Sequence, residues 1–323
     1  MPDRPIVVVT RRLPESVERE LARDFDARLN PDDRPLDAAA LAAALRSADA
    51  LLCTVTDRID AVLLQAASPM RTRLLANFGV GYNHVDVDAA RSAGLVVTNT
   101  PGVLTEATAD LALCLMLMAA RRAGEGEREL RRGAWSGWRP THMLGATVSG
   151  RTLGIVGFGR IGRALARRAA HGLGMRILVH TPAPDPAALS EVGATACGLD
   201  ELLSGSDFVS LHCPATPATR HLIDEERLAR MRPGAFLINT ARGDVVDEAA
   251  LAAALRARRI AGAGLDVYER EPAVHPELAG LENVVLLPHL GSATVETREA
   301  MGRRALANLR AYFSGEAPPD RVV

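Results

Sequence analysis

The stretch from Leu153 to Gly174 constrains the fold of this chain most, because it reads as a buried strand, a glycine turn and a helix in direct succession. Gly157, Gly159 and Gly162 follow the spacing G-x-G-x-x-G. The first glycine allows a tight turn, the second lacks the Cβ that would hold phosphates off the backbone, and the third lets helix and strand pack closely. Free N–H groups at the start of the helix attract an anion. The stretch therefore predicts a domain that binds a dinucleotide.

Strands and helical patterns alternate along nearly the whole chain, which is typical of parallel sheets with helices on both faces. Apolar runs predict strands at residues 6–9, 51–55, 74–78 and 95–98 before the glycine turn, and at 176–179, 208–212, 235–239, 262–267 and 284–287 after it. Helical patterns between the early strands cover residues 14–24, 37–47, 59–66 and 87–92. We therefore expect an α/β protein with two doubly wound parallel-sheet domains.

The order of these elements also predicts how the domains are connected. A helix at residues 105–122 has more apolar surface than one small domain can bury, and we interpret it as an inter-domain helix. The final amphipathic helix, residues 292–314, follows the last strand of the second sheet and is expected to pack on the first domain. We predict a discontinuous substrate domain of residues 1–101 and 290–323, interrupted by a dinucleotide-binding domain of residues 102–289, with the active site in the cleft between them.

Residues 123–145 read as a loop that is rich in glycine and charge and carries both tryptophans, Trp135 and Trp138. Large aromatic side chains in a polar loop suggest a contact with another subunit, so we interpret this segment as a dimerisation loop. Alternatively, the tryptophans anchor the loop on their own domain.

Composition narrows the class of protein. With 48% apolar residues, 24% charged residues and a net charge of −1, the chain gives no electrostatic reason to expect nucleic acid or a membrane as partner. The apolar helix at residues 111–120 is too short to span a bilayer, and the N-terminus lacks the apolar region of a signal peptide. The cysteines, which lie in apolar surroundings without a C-x-x-C pair, are expected to be buried thiols in a reducing cytoplasm and to form no metal site: Cys53, Cys114, Cys197 and Cys213.

Three segments after the glycine turn each end a strand with a reactive side chain. INTARGDVVD contains Arg242, GLDVYEREP contains Asp266 and Glu271, and LLPHLGSAT contains His289. Residues just beyond the carboxyl ends of strands line the ligand crevice of an open α/β sheet, so these side chains should converge beside a nicotinamide. The guanidinium suits a substrate carboxylate or carbonyl, the histidine can donate a proton, and a carboxylate can keep that histidine charged. Each residue alone has a structural alternative; their joint placement favours carbonyl reduction.

Six motifs, in order and over nearly the whole chain, resemble those of the D-isomer-specific 2-hydroxyacid dehydrogenases. They are ANFGVGYNHVD, TEATADLAL, GFGRIGRALA, INTARGDVVDEAAL, GLDVYEREP and LPHLGSAT. The resemblance implies a flavodoxin-like substrate domain and a Rossmann NAD(P)-binding domain. It also implies that Arg242, Glu271 and His289 are catalytic, and that the N–H groups of Val80 and Gly81, together with Arg242, bind the substrate.

The same resemblance implies further site residues. Asp266 would orient the nicotinamide amide, and Trp138 would reach the substrate site of a neighbouring subunit in a homodimer. The expected dinucleotide contacts are Gly157, Gly159, Arg160, Ile161, Gly162, Thr181, Cys213, Pro214, Thr219, Thr240, Ala241, Asp266 and Gly291.

Within the family, GAWSGWRP and GVGYNHVD look most like the glyoxylate and hydroxypyruvate reductase branch. The expected reaction is reduction of such a small 2-keto acid to the D-2-hydroxy acid. Formate dehydrogenases carry Gln where Glu271 stands, and phosphoglycerate dehydrogenases usually carry a C-terminal regulatory domain for which this chain stops too soon, although short versions exist. The alternatives are another D-2-hydroxyacid dehydrogenase and a nucleotide-sensing corepressor, which resembles this fold but usually adds long disordered or peptide-docking extensions.

The end of the second strand of the dinucleotide domain bears on the choice of cofactor. NAD-dependent enzymes place an acid there to bind the ribose hydroxyls. Here His180 and Thr181 occupy that point, and the first acid is Asp185. No carboxylate stands ready to repel a 2′-phosphate, although Pro182 occupies the loop where NADP-dependent enzymes normally supply an arginine. We therefore favour NADP(H) over NAD(H).

Overall fold

The computed structural model describes residues 4–323, which form two compact units. The first unit takes the chain up to Leu104 and again from Ser292 to Val323, and the second runs from Thr105 to Gly291. The strands of the first unit are β1 (Ile6–Val9), β2 (Asp26–Arg28), β3 (Ala50–Cys53), β4 (Leu74–Asn77) and β5 (Val96–Thr98). Those of the second are β6 (Thr152–Val156), β7 (Arg176–His180), β8 (Thr195–Ala196), β9 (Phe208–Leu211), β10 (Phe236–Asn239), β11 (Gly262–Leu265) and β12 (Val284–Leu286).

The helices alternate with these strands, as the sequence pattern predicted. In chain order they are α1 (Glu15–Asp24), α2 (Ala38–Ser47), α3 (Ala61–Ala66), α4 (Val87–Ser92), α5 (Thr105–Ala120), α6 (Ala123–Arg131), α7 (Arg160–Arg167), α8 (Pro186–Glu191), α9 (Leu199–Gly205), α10 (Glu225–Arg230), α11 (Glu248–Arg256), α12 (Pro276–Ala279) and α13 (Val295–Phe313). A π-helical turn, Arg168–Gly172, extends α7. None of the helices within residues 4–323 combines the length and apolar character needed to cross a membrane.

Many of these helices begin at an aspartate because its carboxylate accepts a hydrogen bond from a backbone N–H three residues later, which would otherwise have no partner. This is the case at the start of α2, α3, α4, α10 and α11, with Asp37, Asp60, Asp86, Asp224 and Asp247 as the respective caps. Each such cap stabilises its helix by about 1 kcal/mol.

The strands of the first unit pair in parallel in the order β2-β1-β3-β4-β5, which is the flavodoxin-like order. Residues of β3 and β4 are buried throughout, because helices cover both faces of a parallel sheet. The terminal helix α13 packs on α1, where a Cβ at Gly302 would lie 2.4 Å from Val17. Only glycine fits at that crossing of the two helices.

In the second unit the parallel order is β12-β11-β10-β9-β6-β7-β8. Counted within the unit, this is the Rossmann order 3-2-1-4-5-6 with one more strand at the edge. The order reverses between β6 and β9, and ligands of such sheets bind outside the carboxyl ends of the strands at that point. The predicted fold class, two doubly wound parallel-sheet domains, is confirmed.

The structure corrects several predicted elements. The segment 123–145, interpreted as a loop, begins with helix α6, whose glycines weakened the helical pattern although Glu127 and Arg131 pair one turn apart. The edge strands β2 and β8 were not predicted, because they are short and mostly exposed and so lack an apolar signature. Cys114, expected to be buried, lies on the exposed face of α5.

Candidate active site

The glycine turn after β6 is built as its spacing predicts. Gly157 has a φ of +94°, and a Cβ there would lie 2.6 Å from the backbone nitrogen of Cys213. A Cβ on Gly162 would lie 2.4 Å from the carbonyl oxygen of Gly157. At Gly159, by contrast, a Cβ would meet open space, and no side chain caps the start of α7. Backbone N–H groups at this helix start therefore face open space, so the turn fits the pyrophosphate of a dinucleotide.

Other predicted dinucleotide contacts lie along the same edge of the sheet. Thr181 directly follows β7, Cys213 and Pro214 follow β9 with one residue intervening, and Thr240 and Ala241 directly follow β10. The hydroxyl of Thr240 is buried and finds no hydrogen-bond partner within residues 4–323, so it is available to a ligand. These positions fit a dinucleotide laid across the carboxyl ends of the strands, and their contacts with it remain predictions.

Two of the residues predicted to contact the dinucleotide, Thr219 and Ile161, also have structural roles, whereas Arg160 is simply exposed. The Thr219 hydroxyl donates to the carbonyl oxygen of Pro214 at 2.7 Å and so shapes the turn that follows β9. Ile161 is half-buried and packs on the apolar core between α7 and the sheet. Arg160, the first residue of α7, is exposed to solvent.

His289 and Glu271 form a close pair beyond the ends of β12 and β11. His289 Nδ1 donates to Glu271 Oε2 at 2.7 Å, and both side chains are about a third exposed. Burial raises the pKa of Glu271, but the hydrogen bond and charge of His289, the Tyr268 N–H and the charge of Arg242 outweigh burial and lower that pKa overall. Glu271 is therefore a carboxylate at neutral pH, and it stabilises a charged imidazolium while leaving Nε2 of His289 open to a substrate.

Asp266 fixes the backbone that carries His289. Its two carboxylate oxygens accept the N–H groups of Leu290 at 2.6 Å and Gly291 at 2.8 Å, and its carbonyl oxygen accepts that of His289 at 3.0 Å. His289 has a φ of +55°, a left-handed conformation that costs a non-glycine residue about 1 kcal/mol or more. Asp266 thus holds the imidazole in place against local strain, and its predicted contact with the nicotinamide amide remains a prediction.

The segment that carries Glu271 is held by close backbone packing. A Cβ at Gly243 would lie 1.9 Å from the carbonyl carbon of Tyr268, so the chain passes here only because residue 243 is glycine. Glu248 and Glu269 cap one another, the N–H of each donating to the other's carboxylate at 3.1 and 2.9 Å. The N–H of Tyr268 in turn donates to Glu271 Oε1 at 3.1 Å. The carboxylate of Glu271 is therefore fixed on both of its oxygens.

Arg242 lies three residues beyond β10, in a turn clamped by Asn239. The side-chain amide of Asn239 donates to the carbonyl oxygen of Arg242 at 2.9 Å and accepts the N–H of Ala241 at 3.0 Å. Burial lowers the pKa of Arg242, and the charge of Glu271 opposes that change. A guanidinium stays protonated under such conditions, so Arg242 offers a positive charge near Glu271.

The predicted anion-binding loop of the first unit follows β4. The amide nitrogen of Asn77 donates to the carbonyl oxygens of Gly79 and Gly81, both at 3.0 Å, and that of Asn99 donates to the carbonyl of Val80 at 2.9 Å. Neither the Val80 nor the Gly81 N–H donates to an acceptor within residues 4–323. Three carbonyls turned toward side-chain donors leave these N–H groups for a ligand of negative charge.

Trp135 and Trp138 lie in the irregular segment after α6 and are strongly exposed. Their exposed fractions are 52% and 82%, respectively. Trp138 in particular is little covered, and both the dimer contact and the anchoring of the loop stay predictions.

His212 and Cys213 have local roles. The Nε2 of His212 lies 2.9 Å from the Ser210 hydroxyl, and burial lowers the pKa of this imidazole to about 4. Burial raises the pKa of the Cys213 thiol to about 11. Within residues 4–323 no group of three His, Cys, Asp or Glu side chains could hold a metal ion.

Four residues that position the predicted site residues were not anticipated from the sequence: Asn77, Asn99, Tyr268 and Gly243. Asn77, Tyr268 and Gly243 stand within quoted motifs, whereas Asn99 lies between two of them, and a local signal was available for the two asparagines. Asn77 is the last residue of β4, and Asn99 directly follows β5. A polar residue at the end of a strand is expected to form hydrogen bonds with the turn that follows. The contacts of Tyr268 and Gly243 join segments far apart in sequence and leave no local signal.

A proton donor fixed beside a carboxylate, at the same edge of the sheet as a turn that fits a dinucleotide, has the chemistry of a nicotinamide-dependent oxidoreductase. A model of the family described as "D-isomer specific 2-hydroxyacid dehydrogenase, NAD binding domain" matches residues 113–291. The chain is 47% identical to the glyoxylate reductase of Thermococcus onnurineus, over 99% of this chain and 96% of the relative. It is 48% identical to that of Korarchaeum cryptofilum, over 99% of this chain and 96% of the relative.

A solved structure gives the same result. The NADPH-dependent glyoxylate/hydroxypyruvate reductase of Sinorhizobium meliloti, in complex with NADP and malonate, superposes with a TM-score of 0.87 at 38% identity, over 99% of this chain and 97% of that one. This chain belongs to the D-isomer specific 2-hydroxyacid dehydrogenase family. The family resemblance stated from the sequence motifs is confirmed, and the second unit contains an NAD-binding domain.

Proposed function

We propose that this protein reduces glyoxylate or hydroxypyruvate to the corresponding D-2-hydroxy acid. The observation that carries the proposal is the 2.7 Å pair of His289 and Glu271, which lies beyond the carboxyl ends of the same sheet whose strand β6 leads into the dinucleotide turn. The names of the relatives support the substrate, since proteins 47% and 48% identical to this chain are glyoxylate reductases.

In the proposed reaction a bound nicotinamide supplies the hydride that the keto carbon accepts. His289 donates its Nε2 proton to the keto oxygen, so that the carbonyl becomes a hydroxyl. Glu271 accepts the Nδ1–H of His289 throughout, which fixes the tautomer and favours the imidazolium before the proton is given up. After proton transfer the imidazole is neutral and regains a proton from solvent.

The substrate carboxylate needs positive partners, and we propose two. The N–H groups of Val80 and Gly81 are turned outward by the bonds to their loop carbonyls. The guanidinium of Arg242 offers a planar pair of donors that matches a carboxylate or the adjoining keto oxygen. Val80 and Gly81 belong to the first unit, which the domain prediction assigns to the substrate, and Arg242 belongs to the second.

For the cofactor we propose NADP(H) in preference to NAD(H). β7 ends at His180, and Thr181 follows with a neutral hydroxyl where NAD-dependent enzymes place an acid. No charge at these two positions repels a 2′-phosphate. The S. meliloti relative, by its name, uses NADPH.

We also propose that the protein acts as a homodimer through the segment 123–145. Trp135 and Trp138 expose more of their side chains than a tryptophan usually does on an isolated subunit. Burial of a tryptophan at an interface contributes strongly to association. In that dimer Trp138 would reach the substrate site of the neighbouring subunit. A cytoplasmic location, expected from the cysteines, stays a prediction.

The test is oxidation of NADPH and of NADH, followed by absorbance, with a panel of 2-keto acids that includes glyoxylate, hydroxypyruvate, pyruvate and 3-phosphohydroxypyruvate. We expect turnover with glyoxylate and hydroxypyruvate. For His289→Ala we expect kcat to fall about 10²- to 10⁴-fold. The exposed His171, changed to Ala, is the matched control and should leave kcat unchanged. No turnover with any keto acid, despite binding of the dinucleotide, would refute the proposal.

A further inference from the structure

The loop after β7 has no cation of its own, although the ribose of a dinucleotide lies beside the end of this strand in a Rossmann domain. Its residues, 181–185, read Thr-Pro-Ala-Pro-Asp. An enzyme that uses NADP(H) needs a positive group near the 2′-phosphate, because burying part of a doubly charged phosphate without a partner is costly. Any such group must come from a neighbouring element.

Arg163, on α7, carries a guanidinium that reaches the loop after β7. Its Nε donates to the carbonyl oxygen of Phe158, within the glycine turn, at 3.0 Å, and the group stacks 5.7 Å from the centre of the Phe158 ring. Its Nη1 lies 3.1 Å from a carboxylate oxygen of Asp185, at the far end of the β7–α8 loop. The guanidinium is therefore fixed between the glycine turn and the loop that follows β7.

Asp185 uses its two oxygens for different purposes. Oδ1 caps α8 by accepting the N–H groups of Ala187 and Ala188, at 3.1 and 3.4 Å, whereas Oδ2 pairs with Arg163. Hydrogen bonds from the backbone, and then the charge of Arg163, lower the pKa of Asp185, so it is ionised at neutral pH. The pair is partly exposed, with 37% and 44% of the two side chains accessible, so a ligand can reach it.

The next arginines of this helix are engaged elsewhere. Arg167 pairs with Glu106 and Glu191, and Arg168 pairs with Glu106 and Asp110. Arg163 is thus an α7 arginine whose guanidinium pairs with the β7–α8 loop, through Asp185.

We propose that Arg163 selects between the two dinucleotides by binding the 2′-phosphate of NADP(H), and that Asp185 competes with that phosphate for the same guanidinium. This inference rests on the proposed function, whose cofactor it specifies. NAD(H), with a neutral 2′-hydroxyl, leaves the Arg163–Asp185 pair intact. The 2′-phosphate of NADP(H) has to displace the Asp185 carboxylate from Arg163. A loop without arginine can therefore accept either dinucleotide, and the preference for NADP(H) is moderate.

The test is calorimetric measurement of Kd for NADP⁺ and NAD⁺, and for the fragments 2′-phospho-AMP and AMP, on the full chain. Asp185→Asn removes the competing charge but keeps a good helix cap. It should tighten NADP⁺ about fivefold, the value of a partly exposed ion pair, and leave NAD⁺ unchanged. Arg163→Gln should weaken NADP⁺ about 10- to 100-fold, as expected for loss of a charged hydrogen-bond donor, with NAD⁺ unchanged.

Arg167→Gln, one turn further along α7, is the matched control and should change neither affinity. Equal effects of Arg163→Gln on NADP⁺ and NAD⁺, or weaker NADP⁺ binding by Asp185→Asn, would overturn the inference while leaving the proposed reduction standing. Failure of the unaltered chain to bind either dinucleotide would overturn both.

Discussion

Replacement of Asp266 by Asn separates the positioning of His289 from the stability of the fold. The carboxylate accepts two N–H groups, at 2.6 and 2.8 Å, and an amide has one oxygen and one NH₂ group to offer. One N–H of the 290–291 backbone would therefore face another donor. Losing a hydrogen bond to a charged group costs about 1.5–3 kcal/mol, which is at least as large as the roughly 1–3 kcal/mol of strain stored in a left-handed residue such as His289. The strained conformation would no longer be held.

The expected result is a fall of about 10²-fold in kcat, because a displacement of about 1 Å at a reacting group has an effect of that size. The free energy of unfolding, by contrast, should change little. Burial raises the pKa of Asp266, so its ionised form is less favourable in the folded chain than in the unfolded chain at every pH above the unfolded pKa of about 3.9. The uncharged Asn avoids that cost, which offsets the lost hydrogen bond.

The assay compares steady-state kcat with the midpoint of urea unfolding for the unaltered chain, Asp266→Asn and a control. Asp207→Asn is the control, because Asp207 also accepts a backbone N–H, that of Thr152 at 2.9 Å, but at the amino end of the same sheet. Its kcat should stay unchanged. Normal kcat in Asp266→Asn would refute the reasoning. Loss of dinucleotide affinity equal to the loss of kcat/KM would also refute it and would favour direct contact with the nicotinamide.

Three further predictions concern Asn77, Glu271 and His212. Asn77→Asp turns a donor toward two carbonyl oxygens into an acceptor, and it should raise KM for the keto acid about tenfold with kcat little changed, whereas equal loss of kcat would contradict a role in the binding loop. Glu271→Gln replaces the carboxylate that accepts the Nδ1–H of His289 by a neutral amide, so kcat of reduction should fall about 10²-fold; an unchanged kcat would contradict a role of this pair in proton donation. Burial lowers the pKa of His212 to about 4, so its contribution to stability is complete above about pH 6.5 and is lost as pH falls toward 4, by about 2–3 kcal/mol; urea unfolding of His212→Gln should show a flatter dependence over that range.

The fold could be predicted from the sequence because its signals are local. Apolar runs such as that of β10 are buried on both sides of a parallel sheet, and they alternate with helices at spacings that only a doubly wound arrangement allows. Where the local signal is weak, the prediction was incomplete. β8 has two exposed residues, and α6 contains two glycines and is stabilised by ion pairs of its charged surface, including that of Arg122 with Glu125.

The positions of the proposed catalytic side chains could also be predicted from the sequence. Arg242, Glu271 and His289 each follow the end of a strand, and the carboxyl ends of parallel strands meet at one edge of the sheet whatever the length of the helices between them. The sequence could not show which atoms fix them. That information lies in pairs separated along the chain, as in the approach of Gly243 to the backbone of Tyr268.

Asp266 shows why a motif and a contact are different kinds of information. The motif GLDVYEREP places an acid after β11, and the resemblance assigns that acid to the nicotinamide. In the structure both of its oxygens accept N–H groups from the segment that follows β12, 24 and 25 residues further on. An acid in this position is needed even without a nicotinamide, because His289 cannot keep a left-handed backbone unless something holds the residues after it. Retention of this acid in a relative that lacks the histidine would therefore point to the nicotinamide as its main partner, and its joint loss with the histidine would point to the backbone.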